Sequence, residues 1–180
     1  TIVIESDGDV KITLSQTVTN DFEVKYVYNK IDYNFTFYPN GGNESTDVQT
    51  FNVGGSVTPP TFTKDYHTFV RWTEDQEGTI PYSTFTNLSI GNKEVFAQWS
   101  INSYQVLYSA NGGSGELTDT ANPYDYDEEV TVLDPADGTI ARTGYTFTGW
   151  NTASDGIGTP YAIDDTFDMP ASNVTLYAQW

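Results

Sequence analysis

Residues 33–42, YNFTFYPNGG, return as residues 104–113, YQVLYSANGG. Tyr33, Phe35 and Phe37 alternate with Asn34 and Thr36, and Tyr104, Val106 and Tyr108 keep the same alternation. Period two among aromatic and β-branched residues predicts a half-buried strand. Asn40-Gly41-Gly42 and Asn111-Gly112-Gly113 then supply residues that tolerate the positive φ of a turn. Two further blocks recur in the same order. HTFVRW at 67–72 matches YTFTGW at 145–150, and VFAQW at 95–99 matches LYAQW at 176–180. The offset between copies grows from 71 to 78 to 81 residues, so the second copy carries insertions, expected around 133–140 and 162–165. Blocks that repeat while the gaps vary are strands joined by loops.

Runs 49–53 and 129–133 read as equivalent partner strands, and 173–180 as the last strand. Helical signal is confined to two short stretches, 135–140 and 164–167. The chain divides into 1–32, a strand-rich end of a preceding module or a cap; 33–102, a first repeat; and 103–180, a second. In the first segment the runs at 1–5, 10–15 and 22–28 alternate, with Asp7-Gly8-Asp9 as a hairpin turn. The linker between repeats, 100–103, is too short for free tumbling, which predicts a semi-rigid rod.

The chain has 180 residues with 25 Asp and Glu against 7 Lys and Arg, a net charge of −18. So few cations cannot neutralise a phosphate backbone, and the same surface is repelled by anionic lipid. No apolar run approaches the roughly 20 residues of a membrane span. Cysteine is absent, which excludes disulfides and thiolate chemistry. With 15% aromatic residues, the small cores are expected to be built on rings. The chain reads as a monomeric fragment of a longer protein, with export and anchoring signals outside it.

Residues 144–150 (GYTFTGW), 151–158 (NTASDGIG), 165–171 (DTFDMPA) and 174–180 (VTLYAQW) resemble the Listeria–Bacteroides repeat, the B-repeat type of module of internalin surface proteins. The resemblance is close over 104–180 and loose over 33–99, where Arg71 replaces the glycine before Trp72 and the Asp-Thr-Phe-x-Met-Pro stretch is missing. It implies a mainly β chain, α+β at most, of tandem β-grasp (ubiquitin-like) modules with little helix. It also implies an extracellular segment of a bacterial surface protein, wall-anchored through other regions. Such a segment is a non-enzymatic stalk or spacer that takes part in adhesion, with a protein or glycan ligand. The alternative is a carbohydrate-binding module accessory to a secreted hydrolase.

Each candidate chemistry has a plainer reading beside it. Trp72, Trp99, Trp150 and Trp180 would stack on sugars if exposed, but at the ends of core-facing strands they read as core. Tyr124, Tyr126, Asp127 and Glu128, within PYDYDEE, form a candidate partner-binding patch, because tyrosine is enriched at interfaces; the alternative is a solvated loop. No cofactor is expected. Calcium is the one ion the acidic loops admit, at Asp134 with Asp137, at Asp125 with Asp127 and Glu128, or at Asp7 with Asp9, although none has EF-hand spacing. His67 stands where the other copy has Tyr145 and reads as a strand residue. Lys25, Lys64 and Lys93, in or near strands, are candidates for isopeptide crosslinks, although burying an unpaired lysine is costly. Sequons at Asn34, Asn43, Asn87 and Asn173 are chance matches in a chain rich in Asn and Thr. No nucleophile elbow, phosphate loop or zinc-protease motif is present.

Overall fold

The computed structural model describes residues 2–4, 10–12 and 30–180. The chain forms two compact units, Thr1–Ile31 and Asp32–Trp180. In the first, β1 (Ile2–Ile4) and β2 (Val10–Ile12) pair antiparallel, Ile2 opposite Ile12. The expected turn at Asp7-Gly8-Asp9, the run 22–28 and Lys25 lie outside the described residues.

The second unit holds both repeats and is nearly all β. The first repeat comprises β3 (Tyr33–Tyr38), β4 (Asp47–Phe51), β5 (His67–Thr73), β6 (Pro81–Tyr82) and β7 (Lys93–Ile101). They form one sheet in the order β4-β3-β7-β5-β6. Its central pair, β3 with β7, is parallel, and the remaining pairs are antiparallel. The alternation read from the sequence holds. Phe35 and Phe37 are fully buried and stack with centroids 4.7 Å apart. Around them pack Phe51, Phe62, Trp72 and Leu88. Rings supply this core because a small module has few positions in which to bury apolar area.

The second repeat contains β8 (Ser103–Tyr104), β9 (Val106–Ser109), β10 (Ser114–Gly115), β11 (Tyr124–Asp125) and β12 (Glu129–Thr131). Then come α1 (Ala136–Thr139), β13 (Ile140–Ala141), β14 (Gly149–Asn151), β15 (Pro160–Tyr161), β16 (Thr166–Asp168) and β17 (Val174–Gln179). Its main sheet runs β15-β14-β17-β9, with β17 and β9 parallel as β7 and β3 are. Small pairs β8/β11, β10/β13 and β12/β16 complete it. Trp150, Leu176, Val130 and Met169 form its separate core.

Three expectations need correction. Residues 129–133 are not the counterpart of 49–53. β12 pairs with β16, Val130 opposite Phe167, whereas Tyr124 pairs with Tyr104 as Phe51 pairs with Tyr33. The backbone agrees: Gly54 and Asp127, both at positive φ, donate to the carbonyls of Leu88 and Met169. Part of the insertion therefore precedes Tyr124, where no motif marked it. Residues 164–167 form no helix. Asp164 turns the chain at φ 67° and β16 follows, because Val132 donates to Asp165 and Asp164 to Val132, which fixes this stretch beside a strand. Finally, the strand expected from Tyr145 begins only at Gly149. Tyr145 is instead exposed, with the Arg142 guanidinium 4.2 Å from its ring centre. The short helix expected at 135–140 is present as α1.

Candidate functional site at the repeat junction

The linker is shorter than the sequence indicated. β7 runs to Ile101 and β8 starts at Ser103, which leaves Asn102 alone between them. Both its backbone groups are used. Its N–H donates to the Tyr66 carbonyl at 2.8 Å, extending the β5/β7 ladder of the first repeat. Its carbonyl accepts from the Tyr126 N–H at 2.9 Å, extending the β8/β11 ladder of the second. Its side-chain oxygen accepts from the Thr68 hydroxyl at 2.7 Å. One residue thus passes strand pairing from one sheet to the next.

The two residues bonded to Asn102, Tyr66 and Tyr126, stack their rings, with centroids 3.6 Å apart and planes 10° from parallel. The Tyr126 phenol is pushed up from its ordinary value, first by its hydrogen bond with the Tyr66 side chain, then by burial and by neighbouring charge. Tyr66 adopts φ 59°, a conformation that costs a bulky residue free energy. Its counterpart Gly144, at φ 80°, adopts the same region without that cost.

The four patch residues are therefore not alike. Tyr124 faces its own core, and its hydroxyl donates to buried Asp119 at 2.8 Å. Burial first, then that bond and the carboxylate charge, push its phenol well above the ordinary range. Tyr126 is half-buried against the first repeat. Asp127 and Glu128 are exposed, and the Glu128 carboxylate accepts from the Asp125 N–H at 2.8 Å. Tyr66, Thr68 and Asn102 were not legible as site residues. The one available signal was a tyrosine where the second copy has glycine.

The tryptophans are structural. Trp72 and Trp150 are buried and Trp99 and Trp180 half-buried. Trp99 Nε1 donates to the Pro39 carbonyl and Trp180 Nε1 to that of Ala110, at 2.8 and 3.0 Å. His67 is a strand residue whose Nδ1 lies 2.7 Å from the Asp65 carbonyl. Among the described residues, no group of three or more His, Asp or Glu side chains is placed to hold a metal ion. Asp134 bonds the Ala136 N–H.

The Listeria-Bacteroides repeat domain model matches residues 33–98 and 104–179, the two sheets just described. The chain belongs to the Listeria-Bacteroides repeat family. Among its relatives is a provisionally named membrane protein of Evansella cellulosilytica, 36% identical over 92% of this chain and 25% of its own length. A provisionally named Gly-rich membrane protein of the same organism is 41% identical over 63% of the chain and 14% of its own length. Internalin H of Listeria monocytogenes is 32% identical over 82% and 25%. This pair of Listeria-Bacteroides repeats thus spans a quarter or less of the curated relatives it matches. No solved structure matches it. Among the described residues no helix is long and apolar enough to cross a membrane.

Proposed function

We propose that this tandem is a non-enzymatic spacer of an extracellular bacterial surface protein, which holds flanking regions at a fixed separation and presents an adhesive surface to a protein or glycan. The observation that carries the reading is Asn102, hydrogen-bonded into both repeats through the two tyrosines whose rings stack. A linker that continues two ladders leaves no hinge, and a spacer without a hinge transmits orientation. The strand order 2-1-5-3-4 within the first repeat, with its first and last strands parallel, supports treating each repeat as a β-grasp-like module. The names of the relatives, membrane proteins and an internalin, support a surface setting. The acidic surface keeps such a segment soluble. Wall attachment would come from other regions of the parent protein.

The chain has no cysteine, so paired spin labels can be placed uniquely. Labels at Val48→Cys and Ile157→Cys, both exposed positions in different repeats, are expected to give one narrow distance distribution. Two glycines inserted after Asn102 are expected to broaden it. Equally broad distributions for both proteins would refute the spacer reading.

A further inference from the structure

We propose that the outer edge of β9 is a docking site for an extended, cationic peptide segment of a partner protein, added as an antiparallel strand. The first repeat closes this edge itself, because β4 pairs with β3 through five residues, Tyr33–Phe51 to Phe37–Asp47. The second repeat does not. Only Tyr124 and Asp125 pair there, and with β8. Pro123 has no N–H to donate. Asn122 uses its side chain in place of a strand: Oδ1 accepts the Val106 N–H and Nδ2 donates to the Val106 carbonyl, both at 2.8 Å. Past that point β9 is the outermost strand of its sheet. Val174 donates to the Gln105 carbonyl, so alternate residues of β9 face β17, and Tyr108 turns its N–H and C=O outward.

A cleft of about 290 Å³ runs beside this edge, bordered by Leu107, Tyr108, Glu116, Leu117 and Asp119. Leu107 is 45% exposed. An open edge with a side-chain cleft is the arrangement that binds peptides by strand addition. The sibling repeat shows the geometry that fits, and charge selects the occupant. The cleft border carries Glu116 and Asp119 and no Lys or Arg. Asp119 is committed to Tyr124 and the Ala121 N–H, whereas Glu116 stands exposed at the rim. A second copy, at −18, would bring like charge. The inference does not rest on the spacer reading.

The test is titration of the isotope-labelled chain with the peptide acetyl-Lys-Val-Gln-Thr-Phe-Lys-amide, which carries residues 48–51 of the first repeat's edge strand between lysines. Chemical-shift changes are expected at 106–109 and 116–122, with the Tyr108 amide exchanging about tenfold more slowly. Glu116→Lys, at an exposed position, is expected to weaken binding several-fold. Three results would overturn the proposal: no shifts at this edge, equal binding by a peptide N-methylated on alternate amides, or unchanged affinity in Glu116→Lys. Dimerisation of the chain through β9 without peptide would make a second copy the occupant and overturn it too.

Discussion

Asn111 holds the second repeat's turn to its last strand. At φ 46° it occupies the left-handed region, and its amide donates to the Ala178 carbonyl at 2.9 Å and to that of Ser154 at 2.8 Å. Asn40 does the same in the first repeat, with Ala97 and Gln76. Two positions on, a Cβ on Gly113 would lie 2.7 Å from both the Ala141 carbonyl and the Trp180 ring, so glycine is required there. Asn111→Ala takes the donor from the part-buried Ala178 carbonyl, returns the exposed Ser154 carbonyl to water and gives up a side chain suited to positive φ. Its expected cost is about 1–3 kcal/mol, read as a shift in the urea midpoint with unchanged slope. Asp75 offers a test by pH. The Thr79 hydroxyl first, then the Thr79 and Ile80 N–H groups, hold its carboxyl below the usual carboxylate range, against an opposing effect of burial. A lowered folded value contributes stability above the unfolded value, which is lost as pH falls through the folded one. The melting-temperature gap between the natural protein and Asp75→Asn is therefore expected to be widest near neutrality and to narrow below about pH 4. A gap constant with pH would contradict this.

At the scale of elements, the repeated strands were legible because alternation is local. Tyr33, Phe35 and Phe37 announce their faces within five residues, and Trp72 and Trp150 end runs that already read as core. Pairing was less legible. Residues 129–133 alternate well enough to pass for the counterpart of β4, but nothing local says that Val130 faces Phe167 rather than β9. The Asn-Gly-Gly turns were visible, whereas their partners, Trp99 and Trp180, lie far along the chain. The tyrosine stack was hidden for the same reason: Tyr66 and Tyr126 come from different repeats. It is expected to be a coupled pair. A double-mutant cycle of Tyr66→Ala and Tyr126→Ala should return a coupling of about 0.5–1.5 kcal/mol. Additive effects would mean that the rings touch without stabilising one another. In Tyr66→Gly, relief at φ 59° is expected to offset part of the lost stack, so this variant should be less destabilised than Tyr66→Ala.

For the second unit as a whole, each repeat has its own core, and the two are joined by the hydrogen bonds of Asn102 and the tyrosine stack. Stability and rigidity therefore come from different places. Phe35→Ala is expected to cost about 3–5 kcal/mol and to unfold the first repeat preferentially. Changes at Asn102 should cost far less and act on relative orientation. Residual dipolar couplings measured for β3–β7 and for β8–β17 test this most directly. The account predicts that both sets fit one alignment tensor in the natural protein and separate into two when glycines are inserted after Asn102. Two unrelated tensors in the natural protein would contradict it.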